Sequence, residues 1–160
     1  MHVLKRDGTR EPVRLDAISD RLRTLCRWPS KSPTGAHTTP HLAGYFRTLD
    51  VDVARISTKV CQYVHDDVNT SELDTLAAGI AGQMTTDHPD YGILAARILV
   101  SDFHKRTPEN AVDAWATVPN VEPRIVDVVK KHPHIQTWLD FSLDYVYDTF
   151  ALKTWQQMYL

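Results

Sequence analysis

The amino-acid sequence predicts a mainly α-helical fold with a small N-terminal β-hairpin. Four stretches between Asp16 and Arg106 repeat apolar residues at helical spacing. Ahead of them a short apolar strand runs into paired cations, an Asp-Gly turn and a second short strand. Prolines at 108, 119, 123 and 133 then break the last third into short helical pieces.

In the hairpin, His2 to Val13, glycine tolerates positive φ, so Asp7-Gly8 predicts a tight primed turn with Lys5 and Arg6 on the ribbon beside it. Such a ribbon can lay a basic clamp over a phosphate chain; taken alone, it reads first as an ordinary exposed hairpin with solvated charges. Asp16 is the expected N-cap of a first helix with Ile18, Leu22 and Leu25 facing inward, closed by Trp28-Pro29. Ser30 to Thr48 holds Pro33, Gly35, Pro40 and Gly44 without sustained periodicity and reads as a surface loop. A second helix is expected from Asp52 to His65, with Val53, Ile56, Val60 and Val64 on one face.

A third helix starts at Asn69 or Thr70, where Asn69-x-x-Glu72 has capping-box spacing, and turns Leu73, Leu76, Ala77, Ile80 and Met84 inward. Gly79 and Gly82 lower its propensity and allow a close helix approach, so packing must hold it. His88-Pro89-Asp90 opens a fourth, with Pro89 suited to the first turn. That helix is apolar on two sides, Leu94 and Ile98 on one and Ile93, Val100 and Phe103 on the other, and is expected to be central. Thr107-Pro108 closes it. Short pieces follow around Ile125-Val128-Val129, then a last amphipathic helix with Leu152, Trp155 and Tyr159. No sequence remains to cover that helix, so a truncated product or a fragment of a longer chain is expected.

At 160 residues and 42% apolar content the chain has room for one cored domain and part of another. A net charge of -2 argues against a protein whose main task is holding nucleic acid, while leaving room for a local basic site for a small anion. Cys26 and Cys61 lie in amphipathic helical patterns, as buried reduced thiols do, with no Cys-x-x-Cys. With no signal-peptide pattern and no apolar run of membrane-spanning length, the expectation is a cytoplasmic setting without a membrane partner. Among eight histidines His132-Pro133-His134 is the tightest pair, but its proline fixes an extended geometry, and no metal site is expected.

A nucleoside triphosphate needs cations, an acceptor for ribose hydroxyls and an apolar slot for the base. Lys5, Arg6 and Lys105 offer charge-assisted donors to phosphate. Thr70 offers its hydroxyl and neighbouring N–H groups at a helix start, where the macrodipole favours anions. Asp74, one turn later, is placed to accept from a ribose hydroxyl, and Val13, Ile18 and Val60 to line the base slot. Mg2+ is expected on the phosphate oxygens rather than in a protein cage. No Walker motif or dinucleotide-binding glycine fingerprint is present, so recognition rests on side chains and a helix start.

Three blocks in order, Lys5-Arg6-Asp7-Gly8 with Glu11, Thr70 to Ala78 (TSELDTLAA) and His88 to Ile98 (HPDYGILAARI), resemble the ATP-cone at the N-terminus of the ribonucleotide reductase large subunit, eukaryotic-type class I. The resemblance covers Met1 to about Arg106, with an insertion at 30–48, and continues more weakly through Asp140-Phe141-Ser142 and Phe150 to Thr154. It implies a four-helix bundle capped by a short β-ribbon over 1–106, a nucleotide-binding regulatory domain. Residues 107–160 would be a helical lead-in to an α/β barrel that this chain does not contain.

By the same resemblance, the family's phosphate-contacting lysine and arginine fall on Lys5 and Arg6, and its second phosphate lysine on Lys105. Its threonine falls on Thr70, its base-side glutamate and valine on Glu11 and Val60, and the aspartate implicated in telling dATP from ATP on Asp74. The function implied is an allosteric activity site, activated by ATP and inhibited by dATP through an oligomer of large subunits, with a small radical-generating subunit as partner of the full-length parent. No catalytic residue is implied, because Cys26 and Cys61 match no catalytic position of that oxidoreductase. Many relatives carry a lysine after the aspartate that opens the first helix; Ala17 stands here, which bears on affinity or on the number of nucleotides held. The insertion is either inert or alters how the domain meets a partner. Two other readings stay open: a stand-alone nucleotide-responsive regulator, like repressors that join a zinc ribbon to an ATP-cone, and a ligand-free helical interaction module.

Overall fold

The computed structural model describes residues 1–27, 46–108, 110–117, 121–139 and 141–158. Trp28-Pro29, Pro119, Asp140, Tyr159 and the inserted loop up to residue 45 lie outside the described residues.

Strands β1 (His2–Leu4) and β2 (Arg10–Pro12) pair antiparallel, with Val3 opposite Glu11 and Leu4 opposite Arg10. A third strand, β3 (Val68–Asn69), joins β1 in parallel from its other side, giving the order β2-β1-β3. Two residues are too short to show an alternating pattern, so the sequence predicts a two-stranded ribbon only.

The hairpin turn also differs from the primed turn expected at Asp7-Gly8. Of the loop residues only Gly8 has positive φ, at 83°. A primed two-residue turn of type I′ needs it at both central positions. Gly8 N–H instead returns to the Lys5 carbonyl at 3.0 Å and Lys5 N–H to the Thr9 carbonyl at 2.8 Å, a longer loop whose glycine takes the left-handed bulge position. Asp7 Oδ1 fixes it by accepting from the Thr9 N–H at 2.8 Å and the Thr9 hydroxyl at 2.6 Å.

Helix α1 (Leu15–Cys26) begins before the expected cap: Arg14 is the N-cap, without a side-chain bond, and Asp16 falls in the first turn, where its charge suits the helix dipole. Asp52 caps α2 (Val53–Tyr63) by accepting from the Arg55 N–H at 3.1 Å. Helix α3 (Thr70–Gln83) has the full capping box, Glu72 N–H to Asn69 Oδ1 at 2.8 Å and Asn69 N–H to Glu72 Oε2 at 3.4 Å. Helix α4 (Asp90–Arg106) starts after Pro89 and touches α1, α3 and the C-terminal elements, the central position expected. Leu94, Ala95 and Ile98 are wholly enclosed, with Ile56 and Val60 of α2 in the same core.

The close approach expected at Gly79 and Gly82 is not made: a Cβ there would meet nothing within 4 Å, because both face a recess beside Leu99, Thr149 and Lys153. The tight place is Gly92, where a Cβ would stand 3.2 Å from Thr85 Oγ1.

Two buried charges tie the chain on either side of the insertion to α4. Arg97 donates to the carbonyls of Leu25, Cys26 and Arg47 at 2.9, 3.2 and 2.8 Å. Asp90 accepts from the Arg47 guanidinium and, at 2.8 Å, from the Asp50 N–H. Burial pushes the Cys26 thiol up to about 11 and raises that of Cys61, so neither is a ready thiolate.

Beyond α4 come α5 (Ala111–Thr117), α6 (Pro123–Lys131), two 3-10 segments (Pro133–Trp138 and Phe141–Val146) and α7 (Thr149–Met158). Leu152 plugs into the core, and His104 Nε2 meets Asp144 Oδ2 at 2.8 Å. No described helix is long and apolar enough to cross a membrane.

Candidate functional site

The sheet places the site. Strand β3 ends at Asn69, the N-cap of α3, so its pairing with β1 sets the start of α3 beside the basic ribbon. Side chains alternate along a strand, which puts Val3 and Lys5 on one face with Glu11, the partner of Val3. With α1 closing the third side, these residues enclose a cavity of about 180 Å³. Helix α1 contributes Ala17, Ile18 and Arg21, and α3 contributes Thr70 and Asp74.

Six of the nine residues singled out in the sequence, Lys5, Glu11, Val13, Ile18, Thr70 and Asp74, therefore line one cavity. Lys105 reaches it from the last turn of α4, its Nζ 3.7 Å from Asp74 Oδ2. Arg6 does not line the cavity; it turns to Asp102 Oδ1 at 2.6 Å, and the other Asp102 oxygen accepts from Ser71 Oγ at 2.9 Å and Arg106 Nε at 3.0 Å. Val60 is not on the wall at all. Its helix packs against α1 and α3, and the spacing that aligns it with Ile56 turns it into the core, where it is wholly buried. Of the three residues expected to line a base slot, Val13 and Ile18 are on the cavity wall, with Leu22 beside them, and Val60 is not.

Each anion of the site is already matched by a cation. Lys5 Nζ meets Glu11 Oε1 at 2.5 Å, and Asp74 accepts two bonds from Arg21, Nε to Oδ1 and Nη2 to Oδ2, both at 2.7 Å. Lys5, Arg6, Arg14, Arg21, Lys105 and Arg106 face Glu11, Asp74 and Asp102, an excess of three cations. Burial is the chief cause that pulls the Lys105 ammonium below the usual lysine range; the Arg21 cation adds to it and Asp74 opposes it.

Sequence reasoning missed Arg21, Asp102 and Arg106. Helical spacing could have found two of them: Arg21 stands four residues after Ala17 on the same face of α1, and Asp102 three before Lys105 on α4. It also missed a group of His2, Asp66 and Asp67 whose ligand-type atoms lie within 4.8 Å of one another. Those carboxylates already pair with Arg10 at 2.6 Å and the N-terminus at 3.7 Å. A larger cavity, about 540 Å³, lies on another face of α4 among Phe103, His104, Phe141, Tyr147, Leu152 and Trp155. Among the described residues no lysine or arginine lines it, so it does not suit a polyphosphate.

The model of the ATP cone domain family matches residues 1–106. The whole chain aligns with the ribonucleoside-diphosphate reductase large subunits of Dictyostelium discoideum and Danio rerio, each at 36% identity, and of Vaccinia virus at 35%. The alignments cover 100% of this chain and 18%, 20% and 20% of those relatives, so the chain spans about a fifth of their length. A ribbon, a capped helix start and the end of a central helix that gather cations round one cavity agree with the matched family: the chain belongs to the ATP-cone family.

Proposed function

We propose that residues 1–106 are an allosteric nucleotide-binding unit that takes ATP as activator and dATP as inhibitor, and that residues 107–160 are the helical start of a ribonucleotide reductase large-subunit region. The family match supports a nucleotide-binding regulatory domain. The observation that carries the finer reading is the convergence of Lys5, Arg21, Thr70, Asp74 and Lys105 from four separate elements on one small cavity. The phosphates lie along Lys5, Lys105 and the start of α3, with Arg6 released from Asp102 to join them. The base enters beside Ile18 and Glu11, and Asp74 accepts from the sugar.

Glu11, Asp74 and Asp102 are each engaged by cations, so the donor set offers Mg2+ no protein cage and suits an ion carried on the phosphates. Regulation requires that ATP and dATP stabilise two assembly states unequally, since equal affinity for both moves nothing. The states we assign are the active large subunit, working with its small radical-generating partner in the cytoplasm, and an inhibited oligomer of large subunits.

Equilibrium binding of labelled dATP to the 160-residue chain, with ATP as competitor, tests this. Both nucleotides should bind saturably, and Lys105→Ala should weaken both about tenfold or more, since a charge-assisted hydrogen bond contributes roughly 1.5–3 kcal/mol. Absence of saturable binding would return the chain to the reading of a ligand-free helical module. In a full-length parent, Asp74→Asn should weaken the dATP response while leaving ATP binding mostly intact.

A further inference from the structure

In the proposed site the group that reads the sugar is the carboxylate of Asp74, and a neighbour on α1 holds it. Arg21 grips it through two nearly equal bonds of 2.7 Å, one to each oxygen. A planar guanidinium set against a planar carboxylate in this way fixes the plane as well as the position, which a single ammonium cannot do. The pair is shielded, with side-chain exposures of 29% for Arg21 and 9% for Asp74. Both residues line the cavity. An ionised carboxylate accepts about four hydrogen bonds, and the fork uses one on each oxygen. Lone pairs therefore remain for a hydroxyl. Lys105, at 3.7 Å from the same carboxylate, is outside hydrogen-bond length and can turn to a phosphate without undoing the fork.

We infer that Arg21 is the positioning residue of sugar discrimination. It acts through Asp74, holding the carboxylate in the orientation that separates a ribose from a deoxyribose triphosphate. The inference rests on the nucleotide-binding reading above. Without the fork the carboxylate swings to Lys105, which removes an acceptor from the sugar and a cation from the phosphates together.

The test measures dissociation constants for ATP and dATP on the 160-residue chain and on Asp74→Asn, Arg21→Gln, Arg21→Lys and the Asp74→Asn/Arg21→Gln double variant, with an unfolding midpoint for each. Arg21→Gln should move the dATP-to-ATP ratio about fivefold, in the direction set by Asp74→Asn, as expected for one misplaced hydrogen bond. Arg21→Lys keeps the charge and loses the fork, so it should not restore the parental ratio. The double variant should show the ratio of Asp74→Asn alone, because two residues acting through one carboxylate do not add. A parental ratio in Arg21→Lys, or additive shifts in the double variant, overturns the inference. If Arg21→Gln does not fold, Arg21→Lys decides alone. Failure of the parent chain to bind either nucleotide overturns the underlying reading, whereas binding with an unchanged ratio in Asp74→Asn removes the role of Asp74 and this inference with it.

Discussion

Residues 111–158 are the richer in apolar side chains, yet residues 1–106 bury far more of theirs. The first region closes on itself: Ile56, Val60, Leu94, Ala95 and Ile98 have no exposed surface. In the second, the apolar side chains that are buried among the described residues are Val129 and Leu152, while Trp138, Phe150 and Met158 are 72%, 78% and 69% exposed. Length explains much of the difference. Helices α1 to α4 run 11 to 17 residues, enough to present an apolar stripe over three or more turns. Helices α5 and α6 run 7 and 9 residues, too short to hold their own shape without packing. Helix α4 is the support both regions share, carrying Lys105 towards the cavity and His104 towards Asp144 in adjacent positions.

The largest effect expected on the first region comes from Asp90→Ala. Asp90 is wholly buried and Arg47 half exposed, so the loss is that of the bonds the carboxylate accepts from the Arg47 guanidinium and the Asp50 N–H, together roughly 3–5 kcal/mol at about 1.5–3 kcal/mol for each bond to a charged group. Urea unfolding should show it; a cost under about 1 kcal/mol would mean that the tie to Arg47 and Asp50 does not hold the base of the insertion. The Arg47 guanidinium keeps the Asp90 carboxyl below its ordinary value, outweighing the opposing effect of burial. A lowered folded value means that the stabilisation is fully present above about pH 4 and is lost as pH falls through the lower, folded pKa. Asp90→Asn should therefore flatten the acid limb of the stability curve.

A smaller effect is expected for Leu152→Ala, the main anchor of the second region, at about 2–4 kcal/mol for a buried leucine. Amide exchange should accelerate across 141–158 while α3 keeps its protection, since local opening follows the less densely packed unit. Equal acceleration in both would show one cooperative body and dissolve the distinction.

The four long helices, the capping box and the central place of α4 were legible because each rests on periodicity or on a side chain bonding within its own turn. The parallel strand β3 was not, since its two residues acquire meaning only when Val68 and Asn69 meet β1, which lies more than sixty residues away in sequence. Lys5, Glu11, Ile18, Thr70 and Asp74 could be gathered on paper from the chemistry a triphosphate demands and from the family resemblance. Arg21 and Asp102 were not gathered, because their importance is to other side chains rather than to a ligand. Val60 shows a related limit of periodicity: its spacing shows that it faces inward, but not whether inward means the cavity or the core, where it is buried.

The smallest effect sharpens the comparison most. Phe150→Ala removes a large aromatic group, yet its side chain already stands in water, so its truncation should change the unfolding free energy by no more than about 0.5 kcal/mol. The same truncation of an enclosed ring elsewhere would cost several times that. Unfolding midpoints measured at two protein concentrations decide the point. A cost above 1 kcal/mol that grows with concentration would mean that Phe150 is covered by a second copy in solution, and the exposed apolar face of the second region would then be an interface between chains. A cost that is small and independent of concentration leaves residues 111–158 as a segment held to α4 through Leu152, Tyr145 and the His104–Asp144 contact, with its stability set by the first region's core rather than by its own aromatic surface.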